Sequence, residues 1–258
     1  MNRSFRTVFY FCYMRKLLAY PLNVLFFICF GLLLVIFHPI QWVCLNVFGY
    51  EAHKKSVSIL NLGIMACTSI LATRYTFHNN YELPTDRPLI LVANHQSMFD
   101  IPPLVWYMRK HHPKFVSKIE LGRGIPSVSY NLRHGGSALI DRKDGKQALR
   151  EISKLGQYIE MHKRAAVIFP EGTRSRDGYP KKFQPMGLKM LMKNAPSALL
   201  VGISINNSWK LMRYGAFPYG IGQHLKFEVH EPIENTGDPD SLIARLEEEI
   251  TNGIHPGL

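Results

Sequence analysis

The chain has 258 residues, 47% of them hydrophobic, and a formal net charge of +12. That length supports one sizeable α/β domain plus a short extra segment, and the apolar fraction is ordinary for a globular protein. The positive charge admits anionic partners, but no basic helix or aromatic–basic platform accompanies it, which sets nucleic acid aside.

Charge is unevenly spread. Residues 1–80 carry seven Lys or Arg against the single acid Glu51, a net +6. No Asp, Glu, Lys or Arg occurs from Leu17 to Tyr50, a run long enough to cross or enter a bilayer. Arg15–Lys16 and Lys54–Lys55 flank it, and such flanks are drawn to anionic lipid headgroups at about 1 kcal/mol per residue. The run is too long for a signal-peptide core and no small-residue cleavage pattern follows it, so it is expected to be retained. All four cysteines (Cys12, Cys29, Cys44, Cys67) lie in this part without metal-like spacing. They are expected to be small buried hydrophobes in a reducing compartment.

Residues 1–16 are basic and aromatic, with Phe5, Phe9, Tyr10, Phe11 and Tyr13, a composition suited to the headgroup level of a membrane. Residues 17–37 read as a helix that Pro39 interrupts. A second apolar helix is expected over 40–47 and a third over 56–71. One true span and a hairpin dipping into one leaflet both fit. Residues 76–86 are polar and turn-rich, and the domain boundary is placed there. This gives N-terminal membrane-associated helices over 1–75 and an α/β domain over 76–258.

Past that boundary short apolar runs alternate with helical patterns. Strands are predicted at 89–92, 114–117, 137–140, 165–169, 199–205 and 225–229. Helices are predicted at 145–163, where Leu149, Ile152, Leu155 and Ile159 recur every three or four residues, at 187–194, and at Pro239–Asn252. The expected fold is an α/β mixed sheet flanked by helices on both faces.

Four polar clusters follow four of these strands. Asn94-His95-Gln96-Ser97-Met98-Phe99-Asp100 comes directly after 89–92. A histidine takes a proton near neutral pH, and a carboxylate five residues on can hold its tautomer if the chain turns into a helix start. Lys118 follows 114–117, and Asp141 and Arg142 follow 137–140. Phe169-Pro170-Glu171-Gly172-Thr173-Arg174-Ser175-Arg176 comes at the end of 165–169. There Pro and Gly shape a tight turn, and Arg174 and Arg176 can fork onto phosphate oxygens. Taken singly, each cluster is as readily a cap, an ion pair or a solvated loop. Together, at strand ends where α/β sheets bind ligands, they describe a site.

In this order the clusters resemble the glycerolipid acyltransferases, over about residues 75–230 and most specifically in His95-x-x-x-x-Asp100 and Phe169–Arg174. The closest likeness is to the 1-acyl-sn-glycerol-3-phosphate acyltransferases. The resemblance implies that His95 is the general base oriented by Asp100, and that Lys118, Arg142, Glu171, Gly172, Thr173 and Arg174 bind substrate. It implies a lysophospholipid acceptor, acyl-CoA or acyl carrier protein as donor, a lipid bilayer as partner, and no metal or cofactor. The expected location is the cytoplasmic face of the inner (plasma) membrane. The family's proline-containing last motif is replaced by Leu199-Leu200-Val201-Gly202, which bears on acyl-chain and acceptor selectivity. A metal-dependent hydrolase built on His95 and Asp100 needs a third ligand that no histidine spacing supplies. A non-enzymatic membrane scaffold has no need of His95, Asp100 and Glu171 at strand ends.

Overall fold

The computed structural model describes residues 3–255, with side chains from residue 16 onward. Helix α1 runs unbroken from Arg3 to Phe48 with Pro21 and Pro39 inside it, so the break expected at Pro39 does not occur. Each proline removes one backbone donor, but packing holds the helix on both sides of Pro39. The Ser127 hydroxyl donates to the Leu34 carbonyl at 2.5 Å, the Ser127 N–H donates to His38 Nδ1 at 3.1 Å, and Asn46 donates to the Tyr130 hydroxyl at 2.9 Å. Gly49, at φ +82, turns the chain into α2 (Tyr50–Thr68).

α1 has two faces. Ala19, Phe26 and Leu34 are buried, while Leu18, Val24, Leu25, Ile28, Leu32, Val35 and Ile36 stay about half exposed. The helix is long and apolar enough to cross a membrane. The interfacial character expected of residues 1–16 rests on side chains outside the described residues, Lys16 excepted, as does Cys12. Cys29, Cys44 and Cys67 are free thiols, half-buried rather than sealed in a core.

The rest alternates strand and helix: β1 (Arg74–His78), β2 (Leu89–Ala93), α3 (Ile101–Tyr107), β3 (Lys114–Lys118), α4 (Val128–His134), β4 (Ala138–Ile140), α5 (Gly145–His162), β5 (Ala165–Ile168), α6 (Pro185–Asn194), β6 (Leu199–Asn206), β7 (His224–Val229), β8 (Ile233–Glu234) and α7 (Pro239–Asn252). Among the described residues the sheet has eight strands, ordered β1-β7-β6-β2-β5-β3-β4 with β8 beside β6. β6, β2, β5, β3 and β4 run parallel, and β7 and β8 pair antiparallel to β6, so the sheet is mixed.

β2 is central and fully buried, and its side chains alternate. Leu89, Leu91 and Ala93 join the core under α1, α2 and α3, with Phe26, Val57 and Leu104. Ile90 and Val92 join the opposite core under α5, α6 and α7, with Ile152, Leu188 and Leu246. Each such aliphatic side chain contributes about 1.5–3 kcal/mol by leaving water. Because five neighbouring strands run parallel, their carboxyl ends lie along one edge, and every cluster picked out above is delivered there.

One further expectation is corrected. The stretch 76–86 is not wholly turn, since β1 occupies Arg74–His78 as an edge strand whose side chains alternate between exposed and half-buried. α3 and α4, seven residues each, escape a periodicity reading, and α3 opens on Pro102–Pro103 at its first turn.

Candidate active site

The loop after β2 is pinned before it does any chemistry. Asn94 exchanges two hydrogen bonds with the backbone of Ile205 on β6, donating at 2.9 Å and accepting at 2.7 Å. Ser97 caps the short 3₁₀ turn Met98–Asp100 that leads into α3, accepting from the Phe99 N–H at 3.0 Å. This helix start brings Asp100 back beneath His95.

His95 Nδ1 donates to Asp100 Oδ2 at 2.7 Å. The same oxygen accepts the N–H groups of Gln96 at 2.7 Å and Ser97 at 2.9 Å, and Asp100 has no exposed surface. A carboxylate so surrounded by donors is held in one orientation. Since it can only accept, the imidazole proton sits on Nδ1, which leaves Nε2 as the basic nitrogen. The ring stacks on Phe169 at 4.2 Å between centroids, and His95 lines a deep cavity.

The loop after β5 grips the same histidine by its backbone. Glu171 Oε1 accepts the His95 N–H at 2.7 Å, and the His95 carbonyl accepts the Ser175 N–H at 2.7 Å. Glu171 Oε2 accepts the Lys181 N–H at 3.0 Å. Burial pushes the Glu171 carboxyl above its ordinary range, and the two backbone donors pull against that rise. Both oxygens are thus engaged, and Glu171 is absent from the cavity lining that holds Gly172, Thr173 and Arg174. Gly172 takes φ +69, a left-handed conformation that glycine adopts freely. Its neighbours Thr173 and Arg174 are exposed at the rim.

The cavity has a volume of about 1200 Å³. Lys118, Arg142, Arg174 and Arg176 line its polar end beside His95, while Phe30, Leu34, Leu60, Ile64 and Phe115 line its apolar length. Partial burial lowers the Arg142 pKa, Glu120 opposes that change, and Arg174 adds to it. Cations that raise one another's charging cost favour an anion between them. Of the residues expected at the site, His95, Lys118, Arg142, Gly172, Thr173 and Arg174 line one cavity, while Asp100 is buried beneath His95 and Glu171 lies behind the loop rather than on the wall.

Three participants were not foreseen. Ser208, in the short turn Ser208–Met212 after β6, donates its hydroxyl to Asp100 Oδ1. Gln96 accepts the Ser208 N–H at 3.0 Å. Lys114, 7% exposed, lines the cavity at the opposite end of β3 from Lys118, its ammonium 5.0 Å from the centre of the Tyr50 ring. Burial, reinforced by Arg164 and Lys54, lowers its pKa to about 7.

A family model described as Acyltransferase matches residues 74–206, just over half of the chain. A 1-acyl-sn-glycerol-3-phosphate acyltransferase of Helicobacter pylori is 36% identical over 137 residues, covering 49% of this chain and 54% of that protein. One of the same name from Saccharomyces cerevisiae is 31% identical over 176 residues, covering 64% and 53%. The chain spans about half the length of the curated relatives it matches. The crystal structure of the 1-acyl-sn-glycerophosphate (LPA) acyltransferase PlsC from Thermotoga maritima superposes with a TM-score of 0.73, over 93% of this chain and 95% of that one. At 24% identity this is a likeness of fold.

Proposed function

The chain belongs to the acyltransferase family, and from that premise we propose that it moves a fatty acyl group from a thioester carrier onto the sn-2 hydroxyl of 1-acyl-sn-glycerol 3-phosphate, giving phosphatidic acid. The observation that carries the reading is the 2.7 Å contact between His95 Nδ1 and Asp100, which leaves Nε2 to a cavity rimmed by Lys118, Arg142 and Arg174.

In this mechanism His95 Nε2 takes the proton of the acceptor hydroxyl as its oxygen attacks the thioester carbonyl. Asp100 stabilises the imidazolium that forms. The tetrahedral intermediate collapses with cleavage of the C–S bond, and the departing thiolate recovers the proton from His95. No acyl-enzyme is needed. Lys118 or backbone N–H groups at the rim face the developing oxyanion; one well-placed donor is worth roughly 3–4 kcal/mol. Arg142 and Arg174, with Arg176 alongside, hold the phosphate monoester. Glu171 fixes the His95 backbone and the adjoining loop against each other, so Gly172 and Thr173 meet the glycerol end of the acceptor on a rigid frame.

The lipid substrate accounts for the N-terminal helix. A long acyl chain costs about 0.8 kcal/mol per CH₂ to keep in water, and an enzyme seated at the interface avoids that cost. α1 is packed on the domain at Asn23, whose side chain meets the Tyr219 backbone at 2.7 and 3.0 Å, and again at Leu34 and Asn46. A helix bound to a polar domain along that length lies in one leaflet with its apolar face down rather than standing across the bilayer. Phe217, 47% exposed, extends that face beside the cavity mouth, its ring 5.6 Å from Tyr20. The soluble thioesters acyl-CoA and acyl carrier protein are acidic and cytosolic. The net charge of +12 suits either donor, and a cytosolic donor supports a seat on the cytoplasmic face of the inner membrane.

A panel of lysophospholipid and lyso-aminolipid acceptors, each offered with long-chain acyl-CoA or acyl carrier protein and read by mass spectrometry, tests the assignment. Phosphatidic acid is the expected dominant product. A preference for a larger headgroup moves the acceptor within the family, and no product from any acceptor leaves only a membrane scaffold.

A further inference from the structure

The Asp100 carboxylate has two oxygens, and the mechanism above uses one. Oδ2 meets His95 Nδ1 and the N–H groups of Gln96 and Ser97. Oδ1 faces the turn after β6 and accepts from the Ser208 hydroxyl. Asp100 and Ser208 are both 0% exposed, so bulk solvent does not reach this contact.

Counting protons fixes the direction of the network. Ser97 Oγ lies 2.6 Å from Ser208 Oγ and already accepts the Phe99 N–H at 3.0 Å. Each hydroxyl owns one proton. With the Ser208 proton directed at the carboxylate, the Ser97 proton goes to Ser208 Oγ. Donation runs from Ser97 to Ser208 to Asp100, and the carboxylate also accepts from His95 on its other oxygen. Ser208 is anchored independently of its hydroxyl, because its N–H donates to Gln96 Oε1 at 3.0 Å. Two strand ends, those of β2 and β6, thus clamp one carboxylate from both sides. Ser208 does not line the cavity, although its neighbour Trp209 does.

We propose that Ser208 is a positioning residue for acyl transfer: its hydroxyl, which itself accepts from Ser97, holds Asp100 turned so that Oδ2 meets His95. This rests on the reading of His95 as the base. Without the hydroxyl, Oδ1 is a buried, unpaired anionic oxygen. The carboxylate then rotates toward other donors, which loosens its grip on the imidazole. The effect reaches the reaction through His95 and leaves acceptor binding alone.

The test is steady-state kinetics on full-length variants in vesicles of phosphatidylcholine and phosphatidylglycerol, with 1-acyl-sn-glycerol 3-phosphate as acceptor and a long-chain acyl-CoA as donor. Ser208→Ala is expected to lower kcat about tenfold to hundredfold at unchanged KM, the loss of one hydrogen bond to a buried charge. Ser208→Thr, which keeps the hydroxyl, restores most of it. On an Asp100→Asn background Ser208→Ala costs less than about twofold more, because the two changes break one network. An unchanged kcat, a loss confined to KM, or a full multiplicative loss on the Asp100→Asn background overturns the proposal. Should Ser208→Ala lose its cooperative melt, Ser97→Ala carries the test: a smaller drop in kcat at unchanged KM supports the relay, and an unchanged kcat overturns it. Turnover retained by His95→Ala is a different failure, since it removes the base itself whatever Ser208 does.

Discussion

Strand β3 begins on Lys114 and ends on Lys118, and the two ammonium groups meet opposite surroundings. Lys118 is exposed at the carboxyl edge of the sheet, where Arg142 and Arg174 share its cavity mouth. Lys114 is buried at the other edge, over the Tyr50 ring, with its pKa lowered to about 7. One cavity reaches both. The comparison teaches that charge is managed in two ways within one fold. At the His95 edge, charges are kept and satisfied: Asp100 alone receives four donors, from His95, Gln96, Ser97 and Ser208. At the Lys114 edge, a charge is tolerated because the amine can shed its proton.

The sharpest way to break the first half of this contrast is Asp100→Asn. The amide can no longer stabilise the imidazolium, and kcat is expected to fall about a hundredfold to ten-thousandfold with vesicle binding unchanged; kinetics alongside vesicle flotation checks this. Arg174→Ala comes next. Losing a charge-assisted contact to phosphate raises KM for the acceptor roughly thirtyfold with little change in kcat, whereas a pure kcat effect would detach Arg174 from acceptor binding.

The apolar face of α1 beside the His95 edge is tested by Leu25→Asp combined with Ile28→Asp. Both positions are about half exposed, and partition onto vesicles is expected to weaken about tenfold. Turnover of a short-chain, freely dispersed acceptor should be spared.

The smallest effect belongs to Lys114, and it has a sign. Below about pH 7 the amine is charged both folded and unfolded, so its burial penalty is felt in full. Between about pH 7 and 10.5 the folded amine is neutral while the unfolded chain still binds the proton, so stability from this group rises with pH. Lys114→Met should therefore raise Tm by a few degrees near pH 6, with the gain shrinking as pH climbs toward 10. A gain independent of pH in thermal melts would place the amine in an ordinary solvated setting.

Much of this was legible because local chemistry and tertiary demand agree. The aliphatic run 89–92 can only be an interior strand, and the five-residue step from His95 to Asp100 needs only a capped helix start, which Ser97 supplies. What was illegible depends on distance in sequence. Ser208 is an unremarkable serine 108 positions from Asp100, and only the pairing of β2 with β6 brings them together. Lys114 and Lys118 are the same residue type in the same strand, separated by which edge of the sheet each occupies. Pro39 argued for a helix break, and packing against Ser127 and Tyr130 overrode it. For Glu171, expected to bind substrate, the sequence could not show the two backbone N–H groups that converge on its carboxylate.

The most direct measurement is product formation by the wild-type chain and His95→Ala side by side, in vesicles carrying 1-acyl-sn-glycerol 3-phosphate and supplied with long-chain acyl-CoA, read by mass spectrometry. The account predicts phosphatidic acid and free thiol in equal amounts from the wild type, and neither above background from the variant bound to the same vesicles. Phosphatidic acid from His95→Ala at the wild-type rate would contradict it.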